Sequence, residues 1–171
     1  GFPCFIKPNN GGSSFGTSRV ATPDELLPAL EKAFAEDNEV LAETALTGTE
    51  ITCGLLKTGG KELLLPLTEI VSKKEFFDYE AKYTPGMAEE ITPARISSEL
   101  TAACHTLSSR IYDLLQCKGI VRIDYILSGN TFWFLEVNTI PGMSENSIVP
   151  RQIRQAGFSL SEVLDMVIQG N

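Results

Sequence analysis

The chain has 171 residues, 43% of them hydrophobic, and its 14 basic against 22 acidic side chains give a net charge of −8. This length allows one domain of moderate size or two small lobes, and the acidic balance makes nucleic acid and anionic membrane surfaces poor partners. The sequence contains no apolar run of membrane-spanning length and no signal-peptide pattern, so we expect a cytoplasmic protein. The cysteines are scattered without C-x-x-C spacing and are expected to be reduced thiols.

The first elements in chain order are a strand, a glycine- and serine-rich loop, a second short strand and a helix. The first strand covers residues 4–6, and the absence of an initiating methionine indicates a piece of a longer protein. The loop covers residues 9–16, and the second strand passes through Arg19-Val20. Thr22-Pro23-Asp24-Glu25 is typical of a capping box and predicts a helix to about Ala35. The expected apolar stripe of this helix consists of Leu26, Leu27, Leu30, Ala33 and Phe34.

The later elements follow from the same kinds of pattern. Three further strands are expected near residues 40–43, 51–56 and 63–67. Residues 76–83 combine aromatic and charged side chains just before a proline and a glycine, which is typical of a mobile loop. Apolar spacing over residues 98–116 predicts a helix that ends before Gly119. A second capping box, Ser159-Leu160-Ser161-Glu162, predicts a last helix through Ile168.

Two apolar runs between these last helices carry polar residues at i, i+2 spacing, which directs each pair to one face of its strand. The pairs are Arg122 with Asp124 and Glu136 with Asn138. If residues 128–130 form the hairpin loop, antiparallel pairing brings all four side chains to one face, whereas an even loop would split them. The opposite face is expected to be core and contains Val121, Ile123, Tyr125, Trp133, Leu135 and Val137.

The polar face of this hairpin has a chemistry that burial alone does not explain. Asp124, Glu136 and Asn138 offer only oxygen ligands, which suits a hard cation such as Mg²⁺. The structural alternative is that Arg122 forms ion pairs with the two acids. Earlier in the chain, Lys7 and the glycine- and serine-rich loop suit a phosphate cradle or, alternatively, a flexible turn, since neither a P-loop nor a dinucleotide-binding glycine motif is present.

Six features follow one another along the chain. They are Lys7-Pro8 with its loop, Glu43, Gly48-Thr49-Glu50, the segment Asp78-Tyr79-Glu80-Ala81-Lys82-Tyr83, Arg122-Ile123-Asp124 and Glu136-Val137-Asn138-Thr139-Ile140-Pro141-Gly142-Met143. In this order they resemble the D-alanine–D-alanine ligases of the ATP-grasp superfamily, over nearly the whole chain. The resemblance implies an α+β ATP-grasp fold, an antiparallel-rich sheet with helices packed on it, that lacks the N-terminal domain and the first half of the central lobe.

The resemblance also implies two lobes and roles in nucleotide binding. Residues 1–47 resemble the remainder of the central ATP-binding lobe, and residues 48–171 the C-terminal catalytic lobe with a lid loop at 73–88. The residues implied in nucleotide binding are Lys7 for the phosphates, Ser13 and Ser14 in the loop that closes over them, Glu43 for the adenine amino group, the backbone of Thr44, Ala45 and Leu46 for the ring edge, and Glu50 for the ribose hydroxyls.

Roles in the reaction are implied for residues of the second lobe. Asp124, Glu136 and Asn138 resemble the ligands of two Mg²⁺ ions, which Mn²⁺ can replace. Arg122 resembles the arginine that binds the acyl phosphate, and the backbone N–H of Gly142 resembles the oxyanion donor. Ser147 and Ile148 resemble part of the site for the second D-alanine, with Ser147 near the carboxylate of that substrate.

The activity implied by the resemblance is ATP-dependent joining of two D-alanine molecules through a D-alanyl phosphate, for peptidoglycan precursor synthesis. The lid loop with Lys82 and Tyr83 is expected to contribute to catalysis and exclude water, and this pair favours an amine over D-lactate as the nucleophile. The parent protein is expected to be a homodimer, and this chain alone to be incomplete for catalysis. The alternatives are a stand-alone ATP-binding module and an ATP-grasp ligase for another amino acid.

Overall fold

The computed structural model describes residues 1–72 and 88–170. Contacts divide the chain into two compact units. The first includes Gly1–Thr47, and the second includes Gly48–Val71 and the chain from Glu89 onward. No helix in the described part of the chain is long and apolar enough to cross a membrane.

The first unit contains a three-stranded antiparallel sheet with a helix packed on it. Its elements are β1 (Cys4–Pro8), β2 (Ser18–Val20), α1 (Leu26–Phe34) and β3 (Val40–Thr44). The strand order is β2-β1-β3, so β1 is central and pairs with both neighbours. The small core of this unit consists of Ile6, Val20, Ala29 and Ala33.

The start of α1 differs from the prediction. Residues Pro23–Glu25 form a 3₁₀ turn, and the Thr22 side chain makes no capping hydrogen bond to the helix. The Glu25 carboxylate instead accepts a hydrogen bond from the backbone N of Ala21 at 2.8 Å. The reciprocal pair of hydrogen bonds that defines a capping box is therefore not formed at this helix.

The predicted apolar stripe of α1 is also wrong at two positions. Leu27 and Phe34 are 65% and 54% exposed, whereas Ala29 and Ala33 are buried. The helix packs on the sheet through these two small residues, which lie four apart and therefore on the same face. Leu27 and Phe34 project away from this face and are absent from the core of the unit.

The second unit is built around a larger sheet. Its elements are β4 (Thr49–Thr58), β5 (Lys61–Leu64), β6 (Thr68–Ser72), β7 (Ala88–Ile91), α2 (Ser98–Leu114), β8 (Gly119–Ser128), β9 (Thr131–Asn138), α3 (Ile148–Gln155) and α4 (Leu160–Gln169). The strand order is β7-β6-β4-β8-β9, and β5 pairs with β4. Strands β4 and β8 are the long central pair and lie antiparallel. Three of these elements, β6, β7 and α3, were not predicted from the sequence.

The two faces of this sheet pack against different helices. Odd-numbered residues of β4 and β8 form the larger core with α2, and this core includes Ile51, Cys53, Leu55, Val121, Ile123 and Tyr125. The opposite face is apolar at one end, where α3 and α4 cover Leu56, Leu65 and Ile120. Farther along, the same face carries Thr52 opposite Asp124, and both are buried although polar.

Helix α2 begins as predicted, and its end differs. The hydroxyl of Ser97, the residue before the helix, accepts a hydrogen bond from the third backbone N–H that follows it. The helix ends at Leu114, earlier than the predicted end beside Gly119, and Gln116 takes a left-handed conformation (φ 52°) two residues beyond it. Gly119 (φ 67°) is instead the first residue of β8.

The capping box predicted for the last helix is confirmed. The Ser159 hydroxyl accepts a hydrogen bond from the Glu162 backbone N at 3.2 Å, and the Glu162 carboxylate accepts one from the Ser159 backbone N at 2.7 Å. Two amide groups at the start of α4 are thereby satisfied. The helix runs to Gln169, one residue beyond the predicted end.

Candidate functional site

The hairpin of β8 and β9 carries the predicted polar face, and its turn is shorter than predicted. The turn consists of two residues, Gly129 and Asn130, rather than three. Such a turn with a regular ladder would place Asp124 opposite Leu135 and direct Glu136 to the core face. The ladder has an irregularity that passes over Leu135, and Asp124 lies opposite Glu136. A β-bulge therefore restores the face that the even turn would have split.

The same bulge changes which residues of β9 face the core. Trp133 and Leu135, predicted to be core, are 49% and 37% exposed. Phe132 packs against the core instead, and its ring lies edge-on to Tyr125 at a centroid distance of 5.8 Å. Phe134 also lies edge-on to Tyr125, at 6.5 Å, but is 50% exposed. The prediction failed at this end of β9 because a strict period of two cannot continue through a bulge.

The four polar residues form one hydrogen-bonded cluster. Nε and Nη2 of Arg122 donate to the two carboxylate oxygens of Asp124 at 2.9 Å and 2.8 Å. Nδ2 of Asn138 donates to Asp124 at 3.0 Å and to Oε1 of Glu136 at 3.3 Å. Arg122 therefore forms a bidentate salt bridge with Asp124, which is among the stronger kinds of ion pair.

Arg122 and Asp124 are both largely buried, so each charge needs the other to neutralise it. The side chain of Asp124 is 5% exposed and that of Arg122 is 22% exposed. Burial alone would lower the pKa of Arg122, but hydrogen bonding and the charge of Asp124, followed by the charges of Glu136 and Glu50, raise it above its ordinary value. The guanidinium therefore stays charged and neutralises a carboxylate that would be costly to bury alone.

A row of side chains crosses the sheet at the level of Asp124. Thr68 on β6, Thr52 on β4, Asp124 on β8 and Glu136 on β9 are successive cross-strand partners. Such partners project from the same face, about 5 Å apart from strand to strand. The first three are buried, whereas Glu136 is exposed. The row therefore leads from the interior to a carboxylate at the surface.

The donor set of this cluster fits a hard cation that takes its remaining ligands elsewhere. Asp124 and Glu136 supply carboxylate oxygens, and Asn138 can supply its carbonyl oxygen once the carboxamide turns its nitrogen away from the acids. No group of three His, Cys, Asp or Glu side chains in the described part of the chain is arranged to hold a metal ion. Two acids and an amide are the incomplete set that Mg²⁺ uses when phosphate and water complete its shell.

The turn after β9 and the start of α3 lie close together. A Cβ atom built on Gly142 would be 3.0 Å from the hydroxyl oxygen of Ser147. Ser147 occupies the cap position of α3 but makes no side-chain capping hydrogen bond. Its hydroxyl lies 2.7 Å from that of Ser144. The Ser147 hydroxyl is therefore directed to the turn rather than to the helix, and Ile148 follows as the first residue of α3.

Lys7 and Glu43 are neighbours in the first unit. They lie diagonally across β1 and β3, with Nζ of Lys7 2.7 Å from Oε2 of Glu43. Their side chains are 25% and 42% exposed, so this ion pair opens at little cost. In the following loop, Ser13 (φ 53°) and Ser14 (φ 61°) are both left-handed, which is uncommon for residues other than glycine.

The backbone groups predicted to contact a ring edge follow directly after this pair. Thr44 is the last residue of β3. The backbone N of Ala45 donates to the carbonyl of Pro3 at 3.1 Å, so this N–H is already engaged within the first unit. Leu46 is 39% exposed. The Ala45 N–H would therefore have to break its hydrogen bond to Pro3 before it could donate to a ligand.

The remaining predicted residues divide into two sets. Glu50 is half-buried on β4 and lies opposite Ile126, so it shares the face of Asp124. Lys82 and Tyr83, with residues 73–87 of the predicted lid loop, lie outside the described residues. The second unit thus brings together Glu50 and the hairpin cluster.

Comparison with known proteins identifies the family. The family model described as D-ala D-ala ligase C-terminus matches residues 1–169. This chain belongs to the D-alanine–D-alanine ligase family. The D-alanine–D-alanine ligase of Bacteroides fragilis is 53% identical over 170 residues, which are 99% of this chain and 52% of the relative. The chain spans about half the length of the curated relatives that it matches.

Solved structures of this family have the same fold. The VanG D-Ala:D-Ser ligase from Enterococcus faecalis matches with a TM-score of 0.86 and 36% identity, over 98% of this chain and 49% of that one. The D-alanine–D-alanine ligase from Bacillus anthracis complexed with ATP matches with a TM-score of 0.80 and 36% identity, over 99% and 53%. The prediction of an α+β ATP-grasp fold is therefore confirmed.

Helix α3 of this ligase-family chain was not predicted from the sequence, although residues typical of helix starts and ends flank it. Ser147 precedes it, Pro150 lies in its first turn, and Gly157 (φ 85°) lies just beyond its end. The pattern is obscured because Gln152 lies on the face that packs inward. A polar residue at a core position breaks the apolar period by which a short helix is recognised.

Proposed function

We propose that the whole protein to which this chain belongs joins two D-alanine molecules at the expense of ATP, for peptidoglycan precursor synthesis. The observation that carries this proposal is the cluster of Arg122, Asp124, Glu136 and Asn138 on one face of a hairpin, in a chain of the D-alanine–D-alanine ligase family. The names of its relatives support the same substrate. A module that only bound ATP would need no group for an acyl phosphate.

The first step transfers the γ-phosphoryl group of ATP to a carboxylate oxygen of the first D-alanine and releases ADP. Negative charge spreads over the transferred group, so a fixed cation beside it lowers the barrier. Arg122 is held charged by its neighbours and has a planar fork that matches phosphate oxygens. We assign it to the acyl phosphate, which requires the guanidinium to share or exchange its bond to Asp124.

In the second step, the amine of the second D-alanine attacks the carbonyl carbon of the acyl phosphate. The resulting tetrahedral intermediate loses phosphate as the C–O bond breaks, and the amine loses a proton. The backbone N–H of Gly142 is our candidate donor to the oxyanion. Ser147 and Ile148, at the start of α3, are the candidates for binding the second D-alanine, with the Ser147 hydroxyl near its carboxylate.

Asp124, Glu136 and Asn138 are the candidates for holding Mg²⁺, or Mn²⁺ in its place, with two ions as the family resemblance implies. When bound, the ions neutralise charge on the nucleotide phosphates. Cation binding competes with Arg122 for Asp124, because both carboxylate oxygens of Asp124 already accept hydrogen bonds from the arginine. Occupation of this site therefore favours release of the guanidinium toward a phosphate.

In the first unit we assign Lys7 to the nucleotide phosphates and Glu43 to the adenine amino group. Their ion pair is partly exposed, so its replacement by ligand contacts costs little. Ser13 and Ser14 are assigned to the phosphate-covering loop. The proposed roles of the backbone of Thr44, Ala45 and Leu46, of Glu50, and of Lys82 and Tyr83 are supported by the family resemblance.

We further propose that the protein is a cytoplasmic homodimer whose nucleotide-binding lobe includes residues 1–47 and whose catalytic lobe begins at residue 48. Family resemblance supports the dimer. Free thiols at Cys4, Cys53, Cys104 and Cys117 suit a reducing compartment.

The test uses the full-length protein with ATP, Mg²⁺ and D-alanine, and measures phosphate release together with the dipeptide. We expect release to depend on D-alanine and to fall about 100-fold or more in Glu136→Gln and in Arg122→Ala. Binding of Mn²⁺ with ATP, followed by electron paramagnetic resonance, should weaken in Glu136→Gln. It should be retained in Ser147→Ala, which should impair dipeptide formation.

Two exposed positions provide matched controls. Glu31→Gln on α1 and Ser161→Ala on α4 make the same chemical changes away from the cluster and should retain activity. Release of phosphate without D-alanine, with no dipeptide, would support the stand-alone ATP-binding module instead. Dipeptides formed only from another amino acid would support a different ligase of the superfamily.

A further inference from the structure

Gln152 on α3 is a polar side chain with no exposed surface. Its Nε2 donates hydrogen bonds to the backbone carbonyl of Thr52 at 3.1 Å and to the hydroxyl of Thr68 at 3.1 Å. The carbonyl can only accept, so the amide nitrogen must face it and the orientation of the carboxamide is fixed. The side chain therefore joins α3 to β4 and β6 at the buried end of the row that includes Asp124.

Strand β4 has a glycine where this carboxamide lies. A Cβ atom at Gly54 would be 2.4 Å from Oε1 of Gln152, and Gly54 lies opposite Arg122 on β8. A larger residue would displace either the carboxamide or the helix. The glycine thus makes room for a polar link beside the strand position of the arginine.

Two further contacts extend the link toward β7. Arg151, the residue before Gln152, forms an ion pair with Glu90 on β7. The hydroxyls of Thr68 and Thr92, the latter just after β7, are 2.6 Å apart. Polar contacts from two adjacent residues of α3 therefore reach the sheet at β4, β6 and the β7 region.

The same helix carries Ser147 at its start. Gln152 is five residues farther on, about 7.5 Å along the helix axis. Val149 and Ile153 hold α3 against the sheet by apolar packing, which is not directional and permits the helix to slide or turn. Hydrogen bonds are directional, so those of Gln152 fix the position of the helix and with it that of Ser147.

We propose that Gln152, supported by Arg151, is a positioning residue that places the start of α3 for the second amino acid and so influences which amino acid accepts the acyl group. The inference rests on the proposed ligase function, in which Ser147 and Ile148 contact that amino acid. It assigns the selection of small D-amino acids in part to a buried contact behind the binding site.

The test offers the full-length protein D-alanine with a large excess of D-serine and measures the ratio of the two dipeptides by mass spectrometry. A product ratio does not depend on how much of the protein is folded. We expect Gln152→Leu to change the D-alanine preference about tenfold, because small misplacements of reacting groups have large effects on rate. The KM for ATP should stay within about twofold of the wild-type value.

The matched control is Gln155→Leu, the same substitution at an exposed position of the same helix. It should leave both the product ratio and the KM for ATP unchanged. Two further variants provide evidence if Gln152→Leu does not fold: Thr68→Val removes the hydroxyl that contacts Gln152 and Thr92, and Arg151→Gln removes the ion pair with Glu90. Each should change the ratio about threefold in the same direction, and their double variant should change it further.

The outcomes separate this inference from the proposed function. Unchanged product ratios in Thr68→Val, Arg151→Gln and any folded Gln152→Leu protein would overturn the positioning role while leaving the ligase function intact. A change in KM for ATP as large as the change in ratio would indicate a general structural role and would also overturn it. Absence of any dipeptide from the wild-type protein would overturn the proposed function, and the inference with it.

Discussion

Asp124 lies directly opposite Glu136 across β8 and β9, although the next pair in the ladder is Tyr125 with Phe134. One residue of β9, Leu135, is passed over between these pairs. The bulge lets an even turn and a shared polar face coexist in one hairpin. The placement of Glu136 and Asn138 relative to Asp124 therefore depends on the number of residues in β9 as well as on their identity.

Deletion of Leu135 should be tolerated, whereas insertion of one alanine after it should not. Deletion joins the two halves of the ladder without changing either set of partners, so Glu136 stays opposite Asp124. Insertion displaces Glu136 and Asn138 toward the core face. We expect ligation to fall less than about tenfold in the deletion variant and more than about 100-fold in the insertion variant.

Leu135→Ala keeps the residue count and serves as the control for lost side-chain packing. Mn²⁺ binding in the presence of ATP provides a second measurement that reports on the ligands directly. Comparable activity in the insertion and deletion variants would contradict the importance of this register.

Removal of Arg122 should destabilise the protein, and removal of its partner as well should restore much of the loss. Arg122→Met leaves the carboxylate of Asp124 buried without its bidentate salt bridge. We expect a cost of about 3 kcal/mol, reduced to about 1 kcal/mol when Asp124→Asn is added. Denaturant unfolding of the full-length protein without divalent cations measures both values.

The matched control for this cycle is Arg110→Met, at an exposed position of α2. It should change the free energy of unfolding by less than about 0.5 kcal/mol. If Arg122→Met and the double variant were equally unstable, the loss would come from packing of the arginine stem rather than from an unpaired charge.

The sequence predicted the elements whose periodicity is intact and missed those stabilised by buried polar contacts. Strand β4 and helix α2 have apolar residues on one face and were found. Strand β6 begins with Thr68 and Glu69, which are buried because Gln152 and Arg95 hydrogen-bond to them. These partners are distant in sequence, so a local pattern cannot reveal that the two positions face inward.

The sequence predicted the face of the polar residues of the candidate site but not the faces of the apolar residues beside them. Spacing placed Arg122 and Asp124 correctly because β8 has no irregularity between them. It placed Trp133 on the wrong face because four successive apolar residues, 132–135, do not show which one is extra. Gln152 had no signal at all, since a glutamine in a helix is ordinarily exposed.

Glu69 should make the stability of the protein depend on pH in the acid range. The side-chain hydrogen bond from Arg95 holds the pKa of Glu69 below its ordinary value of 4.5, and the Arg95 backbone N also donates at 3.0 Å. Because the folded protein has the lower pKa, this contribution is present above pH 4.5 and is lost as the pH falls through the lowered pKa.

Glu69→Gln should therefore cost about 1 to 2 kcal/mol near neutral pH and progressively less in acid. Urea unfolding of both proteins between about pH 3 and pH 7 measures the difference. Glu31→Gln, at an exposed position, controls for the loss of a carboxylate in general. A difference that stayed constant across this range would show that the ionised form of Glu69 is not what stabilises the fold.

The capping box of α4 gives a prediction with a control two residues away. Ser159→Ala removes the hydroxyl that accepts from the backbone N of Glu162, leaving that amide without its cap. We expect the free energy of unfolding to fall by about 1 kcal/mol. Ser161→Ala makes the same substitution at an exposed position inside the helix, where alanine is the better helix former, and should be neutral or slightly stabilising. Denaturant unfolding of both variants decides the matter, because equal effects would mean that the capping hydrogen bond contributes nothing beyond helix propensity.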